Sequence, residues 1–328
     1  MTDLNKKISN IWFIKYRPTS RADFVGTTEL KRFLDVQLEI AKNGKMNLNN
    51  LLLVGAPGVG KSTIANIIIK ELDVDYLYLN ASIDNGINII RNQILKYVRY
   101  RSLKNIEKKY DKKVVWLDEA DSLTPQFQEA LRSLMEKYEK NVRFILTGNS
   151  WNFSEALLDR FRGGIWDFDR YLGDMDKKER IDLKKDIYQY ALNIIIKEGV
   201  KFKSDVLKEA INEYYPSIRS IVSELNKQYL ITGDLTKLKN KLVTQKLPKL
   251  LLDNDIKGMY EMSRNTSNTK KAFSDILKLL TSGDFTDLKS NSIAKIILTV
   301  GKYQYRDNVV VDKKANFFYF LIELSEFF

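Results

Sequence analysis

Residues 55–62 read Gly55-Ala56-Pro57-Gly58-Val59-Gly60-Lys61-Ser62, with Thr63 next, and they fit the pattern G-x-x-x-x-G-K-[ST]. An apolar run, Leu51 to Val54, precedes the loop, and a segment of helical period, Thr63 to Leu72, follows it. A glycine-rich turn in that context lets consecutive backbone N–H groups curl around phosphate oxygens, while the helix start adds a favourable dipole. Lys61 is expected to reach the β- and γ-phosphates, and the Ser62 hydroxyl to ligate Mg2+. Gly55, Pro57, Gly58, Val59, Gly60, Lys61, Ser62 and Thr63 are therefore the candidate nucleotide-binding set, with ATP and Mg2+ as cofactors.

Further along, Val114-Val115-Trp116-Leu117-Asp118-Glu119 is an apolar strand that delivers two carboxylates at its C-terminal end, the edge of a parallel sheet where ligands bind. Asp118 is expected to hold Mg2+ through its water shell, and Glu119 to orient or deprotonate the attacking water. Asp118-Glu119-Ala120-Asp121 also spells the DEAD tetrapeptide of RNA helicases. That class needs a second nucleotide-binding sheet domain downstream, and no alternation of strand and helix follows residue 171. The next apolar run instead ends in Thr147-Gly148-Asn149.

The composition narrows the chemistry. Among 328 residues there is no Cys and no His, which excludes disulfides, thiol nucleophiles, Cys/His zinc sites and a histidine base. Carboxylates, hydroxyls, Lys, Arg and amides must do the work. The formal charge of +12 favours a polyanionic partner. No apolar run reaches the length of a membrane span, and the polar stretch Met1 to Lys7 lacks a signal-peptide core. The expectation is a protein of the cytoplasm, without membrane association.

Outward from the phosphate loop, short apolar runs (Leu51 to Val54, Tyr76 to Leu79, Val114 to Leu117, Phe144 to Leu146, Ile165 to Phe168) alternate with helical segments. That alternation predicts an α/β fold, a parallel sheet covered on both faces by helices. After Tyr171 the strands stop. Lys177 to Lys197, Ser204 to Tyr214 and Ser217 to Tyr229 read as amphipathic helices, with a turn at Tyr215-Pro216. Thr232-Gly233-Asp234 reads as a hinge into a third region, helical with breaks near Asn254, Thr266 and Gly283. The expected domains are 1–170, 171–232 and 233–328. In the last, Ile293, Ala294, Ile296, Ile297 and Val300 recur at helical spacing, and Phe317, Phe318, Phe320, Leu321 and Leu324 are too apolar for an exposed tail.

Four further stretches resemble a known family, the clamp-loader AAA+ ATPases, including replication factor C small subunits and the large subunit of the T-even phage clamp loader. Lys15-Tyr16-Arg17-Pro18 with Asp23-Phe24-Val25-Gly26 looks like the family's N-terminal adenine-side box. Asn80-Ala81-Ser82 with Gly86-Ile87 and Arg91 looks like its segment from second strand to helix. Gln128-Glu129-Ala130-Leu131-Arg132-Ser133-Leu134-Met135-Glu136 matches the helix after the acidic motif, and Tyr215-Pro216-Ser217-Ile218-Arg219 its second-sensor helix start. The resemblance spans residues 12 to about 230.

The resemblance implies an AAA+ sheet domain, a small helical lid domain and a helical C-terminal collar that joins copies of the chain in a ring or spiral. It implies that Tyr16, Arg17 and Pro18 contact the nucleotide, that Asn149 reaches the γ-phosphate and lytic water, and that Arg219 contacts the γ-phosphate from the lid. Arg160, in Leu158-Asp159-Arg160-Phe161, aligns with the family's trans-acting arginine finger. Asp159 and Phe161 depart from the Ser-Arg-Cys pattern, which leaves Arg162 as the alternative. For DNA the family uses helix starts along the phosphate backbone, here Asn85, Gly86, Asn88 and Arg91, and Thr124 with its N-cap and Pro125. The basic stretch from Arg99 to Lys104 faces either the clamp or solvent.

The implied partners are a sliding clamp, a small clamp-loader subunit, primer–template DNA and other copies of the chain. The shortened length and the altered finger motif tilt the expected source toward a phage. The competing readings are a branch-migration motor, expected to carry a winged-helix C-terminal domain, a replication initiator, and a nucleotide-gated scaffold without turnover. An intact Glu119 speaks against the last.

Overall fold

Strands form where the sequence is apolar at every position. β1 (Leu51–Val54), β3 (Lys113–Asp118) and β4 (Val142–Gly148) are buried along nearly their whole length, as expected for strands covered on both faces. The computed structural model describes residues 11–42, 48–83, 87–99, 113–236, 243–266, 269–281 and 292–328. With β2 (Tyr76–Asn80) and β5 (Ile165–Asp167) these strands form a five-stranded sheet in the order β2-β3-β4-β1-β5, with every pairing parallel. Alternate side chains point to opposite faces. Leu51, Leu53, Val114, Trp116 and Ile145 join one core with helices α1 (Thr28–Lys42) and α2 (Lys61–Leu72). Leu52, Val54, Val115, Leu117, Phe144 and Leu146 join another with α3 (Pro125–Lys137) and the helical segment 87–99.

The last strand is shorter than the sequence suggests. Asp167 accepts hydrogen bonds from the backbone N–H groups of Asp169 and Arg170, both at 3.0 Å, and so caps α4 (Phe168–Asp174). Phe168 thus opens a helix rather than closing a strand. Helices α5 (Lys177–Lys197), α6 (Ser204–Tyr214) and α7 (Ile218–Thr232) follow. Asp176 and Glu179 make a capping box at the start of α5, and Ser217 caps α7 by accepting from Ser220 N–H at 3.2 Å, so the cap falls just after Tyr215-Pro216. Gly233, in the left-handed region at φ +75°, ends α7.

The chain divides into two compact units, Met1–Lys237 and Leu238–Phe328. The sheet and α5–α7 belong to the same unit, so the expected division near residue 170 is not a break in compactness. In the second unit the described helices are α8 (Val243–Leu252), α9 (Ile256–Asn265), α10 (Thr269–Thr281), α11 (Ser292–Arg306) and α12 (Lys313–Ser325). Phe317, Phe320, Leu321 and Leu324 are fully buried and pack with Phe273, Met259 and Leu251 as that unit's own core. The region that carries them is the one expected to pack against copies of the chain. The described helices cover these side chains within the unit, so any packing against copies concerns its remaining surface. On α11, Ile296 and Val300 are buried, whereas Ile293, Ile297 and Leu298 are exposed. Among the described residues no helix is long and apolar enough to cross a membrane.

Candidate functional site

The phosphate loop links β1 to α2, and three of its glycines take positive φ: Gly55 (+152°), Gly58 (+85°) and Gly60 (+110°). Lys61 begins α2 and is only 7% exposed. Its Nζ donates to the carbonyls of Gly55 at 2.6 Å and Ala56 at 2.8 Å. Burial lowers its pKa to about 8, against the opposing pull of Asp169, Asp118 and Asp121.

The sheet register brings the acid pair beside this loop. β3 pairs with β4 through Leu117 and Leu146, so the next residues, Asp118 and Thr147, are neighbours, and β1 pairs Leu53 with Thr147. Asp118 Oδ1 accepts hydrogen bonds from the Ser62 hydroxyl at 3.0 Å and from the Thr147 hydroxyl. Its Oδ2 accepts from Tyr78 at 3.4 Å. Glu119 stands in the left-handed region at φ +55°, an uncommon pose for a non-glycine residue. Among the described residues its carboxylate has no hydrogen-bond or ion-pair partner.

Lys61, Ser62, Asp118, Glu119 and Thr147 line one cavity of about 230 Å3. Its polar side carries Lys61, Ser62, Asp118, Glu119, Asn149 and Arg219, and Pro57, Gly58, Gly60 and Thr63 border it as well. Its apolar lining includes Phe13, Ile14, Pro18, Phe24, Val25, Ile218 and Val222, side chains suited to a planar base. Arg17 also lines it; burial lowers the pKa of its guanidinium, Asp118 opposes that effect and Arg219 adds to it. Tyr16 does not line the cavity. Its hydroxyl donates to Glu198 at 2.7 Å, Lys15 pairs with the same carboxylate, and Tyr190 donates to the Tyr16 carbonyl at 2.8 Å. Tyr16 instead fastens the N-terminal segment to α5, while Trp12 fastens it to α7 by stacking on Tyr229 with ring centroids 5.4 Å apart.

Arg219 sits at the start of α7, close against the loop: its N–H lies 3.5 Å from the Gly58 carbonyl. A Cβ added at Gly58 would come 2.2 Å from Ser217 Oγ, so any other residue there forces Ser217 to shift. A hydroxyl beside a carboxylate, next to a phosphate cradle, is a fitting donor set for Mg2+, which binds few protein oxygens and relies on phosphate and water for the rest. Ser62 and Asp118 would hold it, and it would supply neutralisation of phosphate charge.

The other expected residues lie elsewhere. Arg160 is outside the cavity and pairs with Glu136, while its carbonyl accepts from Asn50. Arg162, 81% exposed, pairs with Asp159 at 2.7 Å. Thr124 caps α3 by accepting from Phe127 N–H at 3.3 Å, with Pro125 in the first turn. Asn88 is exposed, in the turn Ile87–Ile89. Asn85 and Gly86 lie outside the described residues, as do residues 100–104, and of Arg91 only the backbone, in the π turn Ile90–Ile94, is described.

Thr147, Tyr78, Phe13 and Ile14 escaped the sequence reading. Thr147 was visible as the hydroxyl two residues before Asn149, but its approach to Asp118 depends on strand register.

A family model described as "ATPase family associated with various cellular activities (AAA)" matches residues 51–166. The replication factor C small subunit of Methanocella arvoryzae is 31% identical over 299 residues, covering 89% of this chain and 79% of that protein. The replication factor C small subunit of Methanoregula boonei is 39% identical over 178 residues, 52% of this chain and 51% of that protein. Among solved structures, the Thermotoga maritima RuvB Holliday junction branch migration motor is similar with a TM-score of 0.52 at 20% identity, covering 87% of this chain and 85% of that one. At that identity the likeness concerns the fold.

Proposed function

The chain belongs to the replication factor C small subunits, AAA+ ATPases of the clamp-loader family, and from that premise we propose that it opens a ring clamp and sets it on primer–template DNA. In this reading ATP binding closes a spiral of subunits that holds the clamp and grips DNA, and hydrolysis releases both. The observation that carries the hydrolytic part is the acid pair: Asp118 tied to Ser62, and Glu119 without a partner among the described residues, both on the cavity that Lys61 enters.

Lys61 neutralises the β- and γ-phosphates, the loop amides hold them, and Asn149 and Arg219 contact the γ-phosphate and water. Glu119 takes the proton of the attacking water as the bond from the γ-phosphorus to the bridging oxygen breaks, releasing ADP and phosphate. Arg160 serves the neighbouring subunit's site. Its ion pair with Glu136 is about 40% exposed on both sides (43%/41%) and is worth at most about 1 kcal/mol, so exchanging Glu136 for a phosphate costs little.

The second unit serves as the collar, with Ile293, Ile297 and Leu298 on its exposed surface, beside a companion small subunit. The described part of residues 243–328 is helical throughout, which favours a collar over the strand-containing winged helix expected of a branch-migration motor. Asn85, Gly86, Asn88, Arg91 and Thr124 track DNA phosphates without reading bases.

Steady-state ATPase assays with no DNA, blunt duplex and primed template test this reading. Primed template should stimulate most, and stimulation should fall as salt rises, because phosphate contacts release counterions. Equal response to blunt and primed DNA, or a strong preference for one base sequence, would contradict it.

A further inference from the structure

Nothing in the phosphate-loop pattern specifies what keeps its first peptide bonds in place, yet Lys61 depends on them. The Gly55 carbonyl accepts from Lys61 Nζ at 2.6 Å. That carbonyl belongs to the same trans peptide unit as the Ala56 N–H, so the two point in opposite directions across one rigid plane. On the far side of the plane the Ala56 N–H donates to Asp169 Oδ1 at 2.9 Å. Asp169, peptide and Lys61 thus form a continuous chain in which each hydrogen bond polarises the next.

The sequence fixes Asp169 from both directions. Phe168, 3% exposed, is sunk in the core shared with α1 and α2, and Asp167 holds the Asp169 N–H at 3.0 Å. Gly55 permits the approach: a Cβ there would lie 2.5 Å from the Phe168 Cβ and 3.3 Å from Asp169 Oδ1. Asp169 is also foremost among the carboxylates acting on Lys61, although it lies outside the phosphate loop and does not line the cavity.

We infer that Asp169 is a positioning residue for the phosphate-loop lysine, acting through the Gly55–Ala56 peptide and tying that lysine to the segment from which α5–α7 depart. The inference rests on the reading of the cavity as the ATP site. It makes a specific demand: loss of the acceptor should matter only to ligands that reach Lys61, namely those with a β-phosphate.

The test is a set of dissociation constants for ATP, ADP and AMP, measured by calorimetry on the full-length chain and its Asp169→Ala and Asp169→Asn variants. Asp169→Ala should weaken ATP and ADP about tenfold and leave AMP within about twofold, since a supporting hydrogen bond contributes on the order of one decade. Asp169→Asn keeps an oxygen acceptor for Ala56 N–H and should stay within about threefold of the parent for all three. Unchanged ATP affinity in Asp169→Ala would overturn the inference, as would equal weakening of ATP, ADP and AMP, or an Asn variant as weak as the Ala variant. If the parent chain itself failed to bind ATP, the reading of the cavity would fall and the inference with it. Should Asp169→Ala fail to fold, Asp169→Leu, which removes the acceptor but keeps the bulk, should show the same tenfold loss for ATP and ADP, and parent-like ATP affinity there would overturn the inference.

Discussion

Gly58→Ala probes the joint between the phosphate loop and the start of α7. The new Cβ would sit 2.2 Å from Ser217 Oγ and 3.2 Å from the Arg219 Cβ. Reaching ordinary contact requires Ser217 to retreat by about 1 Å, carrying the start of α7 and Arg219 with it. The residue must also hold φ +85°, which costs an alanine about 1–2 kcal/mol. A displacement near 1 Å of a group that acts on the transferred phosphoryl is enough to cost about 10²-fold in rate. Turnover in a coupled ATPase assay should therefore fall about 10²-fold, while thermal melting records a loss of about 1–2 kcal/mol. Adding Ser217→Gly removes the obstructing hydroxyl at a capping cost of a few tenths of a kcal/mol, so the double variant should recover part of the lost rate. Parent-like turnover in Gly58→Ala, or a double variant slower than the single one, would refute the reasoning.

Lys61→Ala should abolish nucleotide binding, whereas Glu119→Gln should keep ATP bound and stop turnover, because the lysine neutralises ground-state charge and the glutamate acts on water; filter binding and phosphate release separate the two, and unchanged turnover in Glu119→Gln would remove its assignment. A chain ending before residue 238 should remain a monomer that binds ATP, as judged by light scattering and nucleotide titration. An assembly of undiminished size would refute the collar. Phe320→Ala should destabilise the second unit by about 3–5 kcal/mol, since Phe320 is fully buried against Phe273 at a centroid distance of 4.8 Å; a variant with parent-like melting would contradict that core.

Most of the sheet domain was legible because its signals are local. A strand buried on both faces must be apolar at each position, and a phosphate loop must carry glycines. The helices Lys177–Lys197 and Ser204–Tyr214 were also readable, as apolar positions at intervals of three and four. What escaped depends on contacts between distant residues. Tyr16 looked like part of a nucleotide box until its hydroxyl met Glu198, and Thr147 gained its role only through the pairing of β3 with β4. The terminal phenylalanines show the limit of hydrophobicity as a guide: apolar residues must be covered, but the sequence does not say whether a neighbour in the same unit or another copy covers them. Asp169 gave no signal, because its partner is a backbone amide far away in the chain.

Catalysis shared between subunits is the central feature of the proposed mechanism, and mixing two inactive variants tests it. In Arg160→Ala the site keeps its own Lys61 and should bind ATP nearly normally, with turnover reduced about 10³- to 10⁵-fold. In Lys61→Ala the site is dead but Arg160 remains available to a neighbour. Mixed assemblies should regain ATPase activity that neither variant has alone, in proportion to the adjacent pairs they contain. If mixed oligomers form and no ratio restores activity, while Arg162→Ala complements Lys61→Ala in the same assay, the finger is Arg162; if neither complements, hydrolysis is confined to one chain and the clamp-loader mechanism proposed here is contradicted.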